Sequence, residues 1–312
     1  GIAGQDGNQN EILILKNAKV IAEGSVAGIA DLASLTLEGC KMVAPVDGKF
    51  DKEQHAVVDA QGNKAKEVKI EPFVKYKLYI AGTQVTELNY NVLKDIDGVS
   101  VAEGGEFKYN PATNTLTMKD VTVLADGYKI AISTSVADLK IIVSGTNRLE
   151  SKAWGTFASG AATFIEGDGS LTVTNSSASS ILVAESTLTI SDITVEASGK
   201  LFGIVGFTGK GDHLVLNNTK LIAKGDDNAA IYSFESLTLD GCKIAEPVGG
   251  KYDVAERAVI NTEGKNAKEV KIERADPVAV TGVRVMPTTV NLKVSETQQL
   301  TISVEPATAT NK

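Results

Sequence analysis

The chain is short of aromatic residues, which make up 5% of its 312 positions. Glycine, threonine, valine and asparagine are plentiful instead, a balance that suits short strands and tight corners rather than helix bundles. Arginine is nearly as scarce, confined to Arg148, Arg257, Arg274 and Arg284 among mostly lysine cations. With a net charge of −8 and no basic stripe, a nucleic-acid surface is excluded. No run of about twenty apolar residues occurs, so no segment is expected to insert in a membrane. No signal peptide opens the chain, as in a cytoplasmic protein or in a mature or trimmed secreted one. Histidine occurs twice, as His55 and His213, and neither has a second His or a Cys at metal-ligand spacing. No Gly-x-Ser-x-Gly elbow frames a nucleophile. Neither a catalytic residue, a metal site nor a cofactor is expected.

What the sequence does have is a repeat. A Leu-x-apolar-x-turn pattern begins at Leu13, Leu35, Leu116, Leu171, Leu188, Leu214 and Leu237. Four residues on stand Asn17, Gly39, Asp120, Asn175, Asp192, Asn218 and Gly241, all of types that tolerate a left-handed backbone. Apolar residues alternate on both sides of that turn, as in Leu188, Ile190, Ile193 and Val195. Period-two alternation about a corner means two short strands, each with one buried face. Successive leading leucines from Leu171 to Leu237 lie 17, 26 and 23 residues apart, which suits one coil of a parallel β-helix. A single coil cannot bury its inner face, so stacked coils make the core. The fold class read from this is all-β, a right-handed parallel β-helix with caps. The row at Leu139 breaks the turn rule with Val143, and Gly145 is expected to serve a longer corner.

A second, longer repeat sets the domain plan. Residues 11–71 match residues 212–273, with LASLTLEGCKMVAPVDGKFD from Leu32 answering FESLTLDGCKIAEPVGGKYD from Phe234. Residues 1–72 are therefore expected to be the closing part of a first solenoid module, and 73–275 a complete second one. The simplest inference is a piece of a longer tandem array. Residues 1–10 are polar and Gly-rich and read as a frayed lead-in. The stretch from Tyr76, with a hairpin loop at Asn110–Asn114, is expected to cap the second module, and residues 248–275 to close it.

At Asp276-Pro277 the composition shifts. VTGVRVMPTTVNLKV, SETQQLTISVEP and the trailing ATNK resemble the first half of a bacterial immunoglobulin-like domain, group 2. That resemblance implies residues 276–312 are a truncated Ig-like β-sandwich whose inner face lacks a partner sheet. YKLYIAGTQVT, YNPATNTLTM and the repeated LTI-x-D-x-TV coils resemble β-helical modules of secreted and surface proteins from gut Bacteroidetes, described as carbohydrate-binding or adhesin-like. The resemblance implies an extracellular or cell-surface, non-enzymatic protein whose partner is a glycan or a host or bacterial surface protein.

Several constellations of residues carry possible chemistry. Cys40 and Cys242 occupy equivalent repeat positions, held elsewhere by Val121 and Ile193, and are expected to be inward free thiols too far apart to bridge. Asp95 and Asp97-Gly98 are only a fragment of a calcium loop. Gly167-Asp168-Gly169 and Gly225-Asp226-Asp227-Asn228 read as corners. The Asp226-Asp227 pair keeps open the rival of a polysaccharide lyase or glycoside hydrolase, which needs two carboxylates at defined separation. Trp154, Phe157, Phe202, Phe207, Tyr232 and Phe234 lie in segments leading into the next coil. Trp154, Phe202 and Tyr232 are the carbohydrate-binding candidates, as a ladder of rings for sugar faces. The bland alternative makes them packing residues. A structural spacer with no ligand is the third reading.

Overall fold

The computed structural model describes residues 1–5, 10–275 and 279–305. The described residues are almost entirely β, with a single short 3-10 turn at Leu93–Asp95. The chain divides into two compact units, residues 1–76 with 86–88, and residues 77–85 with 89–312.

The larger unit is a three-sided parallel solenoid. Side one stacks the start of Thr115–Leu124 with Leu139–Ser144, Thr163–Gly167, Thr187–Ser191, His213–Asn217 and Ser236–Asp240. Side two stacks the end of Thr115–Leu124 with Thr146–Ser151, Ser170–Asn175, Thr194–Gly199 and Lys220–Gly225. Side three stacks Ile132–Thr134, Gly155–Ser159, Ser179–Val183, Phe202–Gly206 and Ala229–Tyr232. One strand from each side makes a coil. The alternation in the sequence turns one ladder of each side inward. Leu116, Ile141, Ile165, Ile190 and Leu216 face Val123, Leu149, Val173, Ala197 and Ala223 across the interior, each 1% exposed or less. Ile132, Phe157, Ile181, Ile204 and Ile231 close the triangle. Burying each such side chain contributes roughly 1.5–3 kcal/mol, and no coil does so without its neighbours.

The corners show why the turn residues recur. Asp120, Gly145, Asp192, Asn218 and Gly241 all have positive φ, between 44° and 63°. Asn17 and Gly39 do the same in the smaller unit. Gly145 serves the corner that Val143 could not. Asn175 is the exception and corrects the repeat. It ends a side-two strand, is buried, and has no left-handed backbone. Its side chain shapes the corner instead, accepting the amides of Ser177 (2.9 Å) and Ala178 (2.6 Å) and donating to the Ala153 carbonyl (2.9 Å). Leu171 therefore belongs to side two, and the 17-residue step to Leu188 is part of a coil. In the side-one ladder Leu188, Leu214 and Leu237 align, whereas Leu116 aligns with Ile190, two residues further on. An Asx turn and a left-handed Asn carry the same letter, which is why the pattern merged two sides.

Antiparallel strands cap the stack. Val99–Asn110 pairs with Thr115–Leu124 through the Asn110–Asn114 hairpin, and Leu78 to Ile80 pair with Ile132–Thr134. At the other end Glu269–Arg274 covers side two and Ala258–Ile260 covers side three. Side one ends on Ser236–Asp240, whose one partner strand among the described residues is His213–Asn217.

The smaller unit repeats the closing architecture. Val20 pairs with Ile70 as Leu221 pairs with Ile272, and His55 and Arg257 share a left-handed φ of 51° and 52°. Ile2–Ala3 pairs parallel with Ile29–Ala30, so the lead-in is not frayed there. It is the third-side strand of a coil, and the polar run only begins after it. In the C-terminal segment Gly282–Met286 and Thr301–Glu305 form one antiparallel hairpin, exposed on both faces. Asp276-Pro277 and the trailing ATNK lie outside the described residues.

Candidate binding face

The outer ladder of side three differs from the rest of the surface. Register places Tyr79, Ser133, Ala158, Leu182, Val205 and Tyr232 in one row, each on its neighbour in the next coil. Ala158, Leu182 and Val205 are buried although they point outward, because Ile130, Phe202 and Tyr232 pack over them. The corresponding row of side two is mostly polar, with Glu150, Thr174, Ser198 and Lys224 following Leu124.

Phe202 and Tyr232 come together, with ring centroids 5.3 Å apart and planes 11° from parallel. Phe202 starts its strand one coil before Tyr232, so the contact runs along the solenoid axis. Stacking spends one face of each ring on the other and leaves one face each. Trp154 stands two coils earlier, about 10 Å along the axis, on the corner before Gly155. It is 57% exposed, so its indole is available as the Phe202–Tyr232 pair is not. Phe157 and Phe234 are buried core residues. Phe207 is exposed at the end of its side-three strand.

Two aromatic residues escaped sequence reasoning. Tyr79 lies on the cap strand that extends side three, and Tyr128 on the long corner of residues 125–131, where it is 90% exposed. Together with Trp154 and Phe207 they are the exposed aromatics among the described residues. All four lie on side three or at its corners. The signal for Tyr128 is the corner's length, seven residues where the next has three (residues 152–154).

At the junction of sides two and three, the first three corners enclose a cleft of about 290 Å³. Its walls include Asp126, Glu150, Lys152, Thr174 and Ser176. Glu150 is held by Arg148, whose Nε donates at 2.6 Å. Asp126 and Lys152 make no side-chain hydrogen bond or ion pair among the described residues.

The remaining candidates have structural partners. Asp227 accepts a hydrogen bond from Lys200 of the preceding coil at 2.9 Å, which raises the lysine's pKa. Asp226-Asp227 is thus a corner ion-paired to the corner of the preceding coil. Gly167-Asp168-Gly169 is the corner between sides one and two of its coil. His55 Nδ1 lies 3.0 Å from the Leu32 carbonyl oxygen and His213 Nδ1 lies 2.8 Å from Ser236 Oγ, both half-buried. Cys40 is buried and donates to the Leu15 carbonyl at 3.2 Å. Cys242 is half-buried, and desolvation pushes its thiol pKa up. Both are free thiols. No group of three or more metal-ligating side chains occurs among the described residues. No helix among the described residues is long and apolar enough to cross a membrane.

Comparisons with protein-family models, with curated proteins and with solved structures return no match.

Proposed function

We propose that this chain is a non-catalytic binding protein that works outside the cell or at its surface, with side three of the larger solenoid as its glycan-facing surface. One observation carries the reading. Every exposed aromatic residue among those described lies on or beside one of three sides, and that side's outer row is apolar. A stack of coils needs no such asymmetry for its stability. Aromatic rings on a flat polar rim suit pyranose rings, which present C–H faces to aromatics and hydroxyls to polar neighbours. The stacked strands also hold the corners that carry those rings, which lowers the ordering cost on binding. The lyase or hydrolase reading is weaker. Its two carboxylates are wanted free and converging, whereas Glu150 is engaged by Arg148 and Asp227 by Lys200.

A glycan array probed with the whole chain, with Trp154→Ala and Tyr232→Ala in parallel, tests the proposal. Specific binding that weakens in either variant supports it. A blank array supports the spacer or protein-adhesion reading, and the aromatics then serve only packing.

A further inference from the structure

The cleft at the junction of sides two and three is walled mainly by polar groups, and two exposed rings, Tyr128 and Trp154, stand on the corners that form it. The first corner, residues 125–131, is longer than the next two, which span residues 152–154 and 176–178. Asp126 and Tyr128 stand on that first corner, and Lys152 and Trp154 on the second. Each corner thus carries one charged group and, two residues on, one exposed aromatic ring. Thr174 and Ser176 supply hydroxyls from the third coil. Glu150, the other acidic wall residue, is neutralised by Arg148. What remains in the wall is one carboxylate acceptor, one ammonium donor and two hydroxyls, with Tyr128 and Trp154 two residues further along the same corners.

We infer that this cleft is a recognition site for a single pyranose ring of a glycan. The inference rests on the reading of side three as a glycan-facing surface, and it fixes where on that surface the sugar is held. The chemistry fits a sugar better than other small ligands. A carboxylate accepts two vicinal hydroxyls at once, and an ammonium donates to a ring or hydroxyl oxygen. The indole or phenol covers the ring's C–H face. With Glu150 paired to Arg148, Asp126 and Lys152 offset each other, so the wall carries no net charge and suits a neutral polyol. The volume, about 290 Å³, falls just below the usual range for ligand sites (about 300–1,000 Å³), which suits one ring rather than a long chain.

Trp154 is the chain's only tryptophan, so its fluorescence reports from the corner that also carries Lys152 of the cleft wall. The experiment titrates the whole chain with the methyl glycosides of glucose, galactose, mannose, fucose and N-acetylglucosamine. The expected result is a saturable shift of the emission with at least one of them. Asp126→Ala and Lys152→Ala should each weaken that response about tenfold or more. Asp126→Asn, which keeps the size and removes the charge, should weaken it in the same direction. Glu196→Gln, on side two and two coils beyond Glu150, should leave it unchanged. No shift with any glycoside, or a shift indifferent to Asp126, overturns the cleft. If the array still binds in that case, only the cleft falls and the glycan-facing surface stands. If the array is blank as well, both fall.

Discussion

Asp212 gives the sharpest test of how the coils are joined. It sits in the loop of residues 207–212, between a side-three strand and the next side-one strand, and is completely buried. Its Oδ1 accepts the amide of Glu185 at 2.6 Å, in the preceding coil's loop. Its Oδ2 accepts the amides of Thr208 at 2.9 Å and Gly209 at 2.7 Å, and the Thr208 hydroxyl at 3.2 Å. Hydrogen bonds to a charged group contribute about 1.5–3 kcal/mol each, but the loop amides regain water when the carboxylate is lost. Asp212→Ala should therefore cost about 4 kcal/mol of the larger unit's stability. At about 2–4 °C per kcal/mol for a domain of this size, its melting midpoint should fall by about 8–16 °C. Asp212→Asn keeps an oxygen for Glu185 but turns an NH₂ toward the Thr208 and Gly209 donors. It should recover less than half of the loss. Thermal melts followed by circular dichroism at neutral pH measure both. A fall below about 3 °C in Asp212→Ala would refute the idea that this carboxylate ties adjacent coils together.

Other outcomes follow from the same contacts. Glu87 has its pKa lowered by a hydrogen bond from Lys41 and by the Val74 amide, so it stabilises the smaller unit above its unfolded value of about 4.5 and stops doing so as pH falls through its lower folded value. Glu87→Gln should lower the denaturation midpoint at pH 7, and the gap to wild type should close in melts below about pH 4. Arg274 donates to the Asn218 carbonyl at 2.7 Å and the Asp192 carbonyl at 2.9 Å. Arg274→Met should cost about 1 kcal/mol by urea titration, given its exposure. Cys40 is buried and Cys242 has a raised thiol pKa, so a thiol reagent at pH 8 should react slowly with the native chain and with both cysteines in denaturant. Phe157→Ala, in the solvent-free interior, should cost about 3–5 kcal/mol through the cavity it leaves.

The fold was legible where a residue type answers to one geometry. Leu188 and Ile190 face inward because alternation permits nothing else, and Gly241 turns left because a side chain there is strained. Asn175 was misread because an asparagine makes a corner by two unrelated means, through its backbone or through its side chain. The candidate face was harder to read. Leu182 and Val205 look like interior residues by hydrophobicity, and only the stacking register puts them on the outer row with Tyr79 and Tyr232. These positions are separated by many residues in the chain, and no local pattern encodes which coil lies on which. Trp154 was identifiable as the lone indole, while its distance from Phe202 depends on how many coils intervene.

The side-one ladder from Leu116 through Ile141, Ile165, Ile190 and Leu216 to Leu239 advances 23 to 26 residues at each step. Its consequence is mechanical. The backbone bonds between coils run along the axis, and each coil is bonded only to its neighbours. A chain peeled from one end under tension breaks the outermost coil's bonds before it loads the next. Each coil let go adds about 24 residues of slack, or about 80 Å at about 3.4 Å per residue. Pulled from an end, the solenoid yields stepwise and lengthens several-fold while the coils still stacked keep their outer rows in register.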